Sequence, residues 1–185
     1  MKKHSCGAIL YTVYNYKVYI VLGMEKGGWF PFKGIRERGE TNMDAAIREI
    51  KEETCNSLLI NHIDLNCNYS TKRKHYHIGL AKITYNEYNK FHKNRFEILC
   101  NSAISDDSKY MYLEKDDIKM FPIDTILNYD FHEITSIPIK YYYNYLVRLQ
   151  KDIRGINIYK KYRSQPYEYT YNTENIKNTQ PIIKQ

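Results

Sequence analysis

Three carboxylates, Glu49, Glu52 and Glu53, stand at i, i+3 and i+4 in the segment 41–54 (TNMDAAIREIKEET), which reads as a helix. At about 100° per residue they share one helical face, turned away from an apolar stripe of Met43, Ala46, Ile47 and Ile50. Like charges at this spacing repel by roughly a few tenths of a kcal/mol per pair. They also lie away from the helix N-terminus, where the backbone dipole favours negative charge. A cation would offset both costs, and clustered carboxylates supply the oxygen ligands that hard divalent ions such as Mg²⁺ or Mn²⁺ take. The other reading of this helix is an acidic solvated face balanced by Arg48 and Lys51.

The longer segment 34–56, GIRERGETNMDAAIREIKEETCN, resembles the signature of the Nudix hydrolases. That signature runs Gly, five residues, Glu, seven residues, Arg-Glu, an aliphatic residue, any residue, Glu-Glu, any residue, Gly, aliphatic. Gly34, Glu40, Arg48, Glu49, Ile50, Glu52 and Glu53 stand at the matching positions. The match departs at its end, where Cys55 replaces the glycine and Asn56 the aliphatic residue. The glycine shapes the turn out of the helix, so the departure bears on local geometry more than on chemistry.

The resemblance implies hydrolysis of a nucleoside diphosphate linked to another moiety, with Mg²⁺ or Mn²⁺ neutralising phosphate oxygens and activating water. It implies Glu49, Glu52 and Glu53 as metal ligands, with the carbonyl of Lys33 as a further one. Glu52 or Glu53 lies near the general base, Arg48 orients the carboxylates, and Gly34 and Glu40 shape the loop. Members also draw an acidic ligand from a later loop, six residues before an aromatic. In EKDDIKMFPID, with Met120 in the aromatic position, that residue is Glu114, with Glu97 and Asp117 as alternatives. A catalytically degenerate, nucleotide-binding Nudix module is the competing class. It would be expected to have lost one of the three glutamates, and all three are present.

Three features bear on substrate. Trp29-Phe30-Pro31-Phe32-Lys33-Gly34 is similar to the entry motif of hydrolases of diadenosine and diphosphoinositol polyphosphates, and to that of mRNA-decapping enzymes. Lys33 meets a phosphate in any of these, and Trp29 is positioned to stack on a base or to pack in the loop. The segments AAIREIKEET, RKHYHIGLAKI, EKDDIKMFPI and IPIKYYYNYLVRL together resemble decapping-type Nudix enzymes of large cytoplasmic DNA viruses, which implies capped RNA as substrate and an infected-cell cytoplasm as location. Lys72, Arg73, Lys74, His75 and His77 form a basic cluster, suited to RNA or to a solvated strand edge. Only 86–110 is spare for an RNA-holding insertion, so a compact domain acting on small substrates is the alternative.

The elements that must position these residues are legible in part. Residues 5–13 and 17–24 read as strands around a turn at Asn15 and Tyr16. The stretch WFPFKG reads as a shaped loop. Thr41 or Asn42 caps the helix. Residues 57–65 and 76–85 read as strands, and 86–110 as a polar loop or insertion. A strand ends near Pro122. Residues 138–154 read as a helix with Pro138 in its first turn and Tyr142, Tyr145, Leu146 and Leu149 on its buried face. This order predicts an α/β fold, a Nudix-type α/β/α sandwich with a mixed sheet and a loop-helix-loop catalytic box. It assigns 1–160 to one domain and 161–185 to a polar, flexible tail.

The chain's 185 residues and 43% hydrophobic content suit one globular domain and exclude a wholly disordered or collagen-like chain. No apolar run approaches the roughly 18 residues that span a bilayer. The apolar stretch that follows the basic start is cut by Asn15 and Lys17, which reads as a mature start rather than a signal peptide, and the scattered cysteines read as reduced thiols of a cytoplasmic protein. Lys, Tyr, Ile and Asn dominate the composition, a skew expected of an AT-rich genome. The net charge of +7 is uneven: residues 1–139 carry 19 Lys+Arg against 18 Asp+Glu, and residues 140–185 carry 9 against 3. The basic C-terminal region is a candidate contact for a polyanion such as RNA, or a solvated helix face.

Overall fold

β-branched and aromatic residues dominate the first 25 positions, and they pair as an antiparallel hairpin of β1 (Lys3–Tyr14) and β2 (Lys17–Glu25). Asn15 and Tyr16 between them both have positive φ, 47° and 60°, the twist a two-residue hairpin turn demands. The computed structural model describes residues 2–58, 60, 62–102 and 115–163, with 94–102 and 158–163 described by their backbone alone.

The segment read as a loop around Pro31 is instead two short strands, β3 (Gly28–Phe30) and β4 (Phe32–Ile35). Pro31 separates them, and they pair with different partners, β3 with β2 and β4 with β1. Next come α1 (Asn42–Glu53), β5 (Asp64–Ser70), β6 (Lys74–Lys82), α2 (Tyr85–Ser102), β7 (Asp117–Pro122) and α3 (Glu133–Arg163). The sheet runs β3-β2-β1-β6-β5, with β4 beside β1 and β7 beside β2. β1 and β6 are parallel and the other pairs antiparallel, so the sheet is mixed.

Alternation along the strands divides the core. Cys6, Ala8 and Leu10 of β1 face α1 and α2, packing with Ile50 and Phe91. Ile9 and Tyr11 face the other way, with Tyr142 and Leu146 of α3. Helices thus cover both faces, as expected. No helix among the described residues is long and apolar enough to cross a membrane.

Three elements differ from the sequence reading. The strand expected over 57–65 begins only at Asp64. The polar stretch after Tyr85 is helix α2, opened by a reciprocal cap: the Glu87 N–H donates to Thr84 Oγ1 at 3.1 Å, and the Thr84 N–H to Glu87 Oε2. Its apolar anchors, Tyr88 and Phe91, are only three residues apart among many polar neighbours, which hides the period. Helix α3 begins five residues before Pro138. That proline cannot donate to the Ile134 carbonyl, and the Tyr69 hydroxyl does so instead at 2.9 Å. On α3, Tyr142 and Leu146 are buried as expected, whereas Tyr145 is 54% exposed.

Candidate functional site

A capping box starts α1: Thr41 Oγ1 accepts the Asp44 N–H at 3.1 Å, and Asp44 accepts the Thr41 N–H. The helix then lies against β1 and β4 through Ala45, Ala46 and Ile50. This docking turns the glutamate face inward. Glu49 and Glu53 are buried, the latter only 1% exposed, and Glu52 alone of the three is half-exposed. The expectation of a face turned away from the core therefore holds for Glu52 and fails for the other two.

Their burial depends on close approach to β4. A Cβ at Gly34 would lie 1.8 Å from Glu49 Oε2, so only glycine leaves room for that carboxylate. Glu53 Oε2 accepts the Lys33 N–H at 3.0 Å. Arg48 joins the remaining pieces. It grips Glu40 with two bonds, Nε to Oε1 at 2.7 Å and Nη2 to Oε2 at 3.0 Å. Its Nη1 donates to Glu49 at 2.8 Å and Glu52 at 2.9 Å, and Nη2 to the Ile35 carbonyl at 2.9 Å. Hydrogen bonds from Arg48 hold the Glu40 carboxyl below its ordinary value, against the opposing effect of burial. Glu40 in turn accepts the Glu37 N–H at 2.8 Å, which closes the loop onto the helix.

Two site residues escaped the sequence reading. Lys115, at the entry to β7, has a wholly buried side chain whose Nζ lies 3.0 Å from both Glu53 Oε1 and Glu25 Oε2. Glu25 ends β2 and also lies 3.9 Å from Lys33 Nζ. Burial raises the Glu25 pKa, but Lys115, Lys33 and Lys26 outweigh it and hold the carboxyl below its ordinary value. Burial, then Lys115, pushes the Lys33 ammonium down. No periodicity or motif marks either residue, because they meet Glu53 only when β2 and β7 pair.

By donor chemistry, Glu49, Glu52, Glu53 and the Lys33 carbonyl fit a hard divalent ion. Among the described residues no three acidic, thiol or imidazole side chains are gathered closely enough to enclose one. Their partners explain the spread: Arg48 draws on Glu49 and Glu52, while the Lys33 N–H and Lys115 hold Glu53. Of the later acidic candidates, Glu114 lies outside the described residues, as does the side chain of Glu97. Asp117 opens β7 opposite Met24, and its Oδ1 accepts the Ile118 N–H at 2.9 Å.

Trp29 packs edge-on against Phe121 at 5.2 Å, with Lys119 Nζ 6.0 Å from its ring. This contact packs Trp29, in β3, against β7. Phe30 beside it carries Lys33 Nζ at 5.4 Å and lies 6.0 Å from the His132 ring. Lys72 and Arg73 of the β5–β6 turn and Lys74 at the start of β6 line a cleft of about 630 Å³ with His132 and Ile137. Lys74 is near enough to Lys33 to add to the lowering of its pKa. His75 bonds to Ser70 Oγ at 2.7 Å, and its ring lies 5.1 Å from His4. His4 Nδ1 and His77 Nε2 are 2.9 Å apart, in stacked rings.

The departure from the signature sits in the helix exit. Cys55 and Asn56 both take positive φ, 48° and 57°, and the Asn56 N–H donates to the Lys51 carbonyl at 2.7 Å. The left-handed turn that glycine would favour therefore forms without it. The basic C-terminal region is described as helix to Arg163, and 164–185 lie outside the described residues.

No protein-family model matches the chain, and no curated protein matches it. Solved structures do. A mutT/nudix family protein from Listeria innocua superposes with a TM-score of 0.51 at 18% identity, covering 86% of this chain and 97% of that one. A structure from work on MutT of Aliivibrio salmonicida and Vibrio cholerae superposes with a TM-score of 0.50 at 14% identity, covering 76% and 94%. These likenesses establish the fold class: the chain has the Nudix-type α/β/α fold.

Proposed function

We propose that the chain is a metal-dependent pyrophosphohydrolase of the Nudix type, cleaving a phosphoric anhydride bond in a nucleoside diphosphate joined to another moiety. The observation that carries this reading is the Arg48 fan. One guanidinium ties Glu40 of the loop to Glu49 and Glu52 of the helix, beside Glu53 on the Lys33 N–H. A plain acidic surface has no use for a glutamate, Glu49, buried under a glycine that leaves no room for a Cβ.

Glu49, Glu52, Glu53 and the Lys33 carbonyl would hold Mg²⁺ or Mn²⁺, which supplies charge for the phosphate oxygens and a more acidic water. Glu52, half-exposed, is the carboxylate best placed to take a proton from water at its own oxygen. Arg48 keeps Glu49 and Glu52 oriented, and the Lys33 ammonium is a phosphate contact.

For the substrate, the reading is the 5′ cap of mRNA, with release of m7GDP in the cytoplasm of the cell, an infected cell in the viral case. Its support is the exposed pair Lys72 and Arg73, with the half-buried Lys74 after them, along a cleft that also reaches His132, and Lys74 is close to Lys33.

The test offers capped RNA, free cap analogue, diadenosine tetraphosphate, diphosphoinositol polyphosphate and 8-oxo-dGTP with Mn²⁺, using Glu53→Gln as control. Release of m7GDP from capped RNA but not free cap is expected. Glu53→Gln should lower kcat by about 10³-fold or more while the protein stays folded by circular dichroism. Turnover of a small polyphosphate alone replaces the cap reading with a small-molecule hydrolase. If every substrate stays intact, the module only binds nucleotides.

A further inference from the structure

Lys115 has no counterpart in the box signature, yet it closes the candidate site on its buried side. Its side chain is 0% exposed, and its Nζ stands 3.0 Å from Glu53 Oε1 and 3.0 Å from Glu25 Oε2. Room for its stem comes from β2: a Cβ on Gly23 would meet Lys115 Cγ at 2.6 Å and Cδ at 2.7 Å. The Asp116 N–H donates to the Met24 carbonyl at 2.8 Å, which anchors the lysine at the sheet edge. A buried ammonium of this kind is costly without partners, and two carboxylates oppose it here. Its Nζ donates a hydrogen bond to Glu25 Oε2 and sets a compact positive charge beside Glu53, the carboxylate that a divalent ion would also use.

We propose that Lys115 is a resident cation of this centre. It is a positioning residue that holds Glu53 and Glu25 in place in the metal-free protein and competes with the divalent ion for Glu53. The proposal rests on the reading of Glu49, Glu52 and Glu53 as a metal centre. It accounts for the carboxylates not being gathered into a cage: Glu53 has a cation of the chain on one oxygen and the Lys33 N–H on the other. An incoming ion must displace the ammonium and is repelled by it, so the site fills at higher ion concentration than its carboxylates alone would dictate.

The experiment compares wild type, Lys115→Met and Lys115→Met/Glu25→Gln after removal of metal by chelator. It reads melting temperature without metal, and Mn²⁺ affinity by calorimetry and by electron paramagnetic resonance of the free ion. Lys115→Met should melt roughly 6–12 °C lower without metal, because the buried Glu53 loses its ammonium and the half-buried Glu25 loses the nearest of its three lysines. It should bind Mn²⁺ about tenfold or more tightly, because a like charge has left the site. The double variant restores the charge balance. It should recover part of the melting temperature and keep the tighter binding, which preserves the test if the single variant does not fold. Gly23→Ala, which pushes the lysine stem aside, should move both readings the same way by less.

Mn²⁺ affinity within twofold of wild type in the folded Lys115 variants overturns the proposal. So does an unchanged melting temperature in Lys115→Met. If wild type itself binds no Mn²⁺ at millimolar concentration, or Glu53→Gln binds as well as wild type, the metal-centre reading fails and carries this one with it. Binding that Glu53→Gln abolishes and Lys115→Met leaves untouched sinks the Lys115 proposal alone.

Discussion

Where α1 meets β4, Glu40, Glu49, Glu52 and Glu53 each lie within about 3 Å of a guanidinium or ammonium of the chain. At the β5–β6 turn, Lys72, Arg73 and Lys74 make no ion pair with any described residue, and the imidazoles of His4, His75 and His77 crowd beside one another. The first region satisfies its charges internally and buries all but Glu52 wholly or in part. The second leaves positive charge facing solvent. An internally matched cluster is rigid and tied to the fold, so altering it should cost both stability and turnover. An unmatched one contributes little to folding and is available to an outside anion.

Four changes would break or sharpen this contrast. Arg48→Lys replaces a planar fork with a point charge that cannot hold Glu40, Glu49, Glu52 and the Ile35 carbonyl together. It should lower kcat about 100-fold and the melting temperature by roughly 4–8 °C, read by steady-state kinetics and calorimetry. Wild-type turnover would deny the Arg48 fan its orienting role.

Charge reversal at Lys72 and Arg73 should leave the melting temperature within about 2 °C while raising KM for capped RNA about tenfold. The slope of log KM against log salt should flatten by roughly one per lost phosphate contact. An unchanged salt slope would leave this turn merely solvated.

The histidines set a pH dependence of known sign. Burial, His4, Arg36 and His75 hold His77 below its ordinary 6.5, and partial burial, Arg36 and His75 do the same to His4. The native state therefore binds fewer protons than the unfolded chain just below pH 6.5. Stability should be complete above that value and fall as pH drops through the depressed native values. Melting temperatures between pH 7.5 and 5.0 test this, and His77→Gln should flatten the decline.

The smallest effect is expected at the helix exit. Cys55→Gly relieves a left-handed residue and should stabilise by about 0.5–1 kcal/mol, measured by urea denaturation. A loss of stability would mean that the thiol's packing outweighs its backbone strain.

How much was legible follows from how local each feature is. The Thr41 cap, the 3.6-residue stripe and the glutamate spacing all lie within one helix, and the structure keeps each of them. Helix α2 was missed because two aromatic anchors among polar residues give no period, although Thr84 and Glu87 form a start signal. The early start of α3 was missed because Pro138 reads as a helix start, until a tyrosine from β5 supplies the bond it lacks.

By itself, then, the sequence determined the chemistry that the chain offers: three glutamates on one helical face, an arginine beside them and a glycine at the right remove. It also determined the uneven charge, near neutral up to residue 139 and basic beyond. Only the tertiary structure decided which carboxylates are buried, because helix periodicity sets relative angle while docking on β1 and β4 sets which angle faces the core. It alone brought Lys115 and Glu25 to Glu53. Those residues are far apart along the chain, and their meeting is a consequence of strand pairing, which no local spacing encodes.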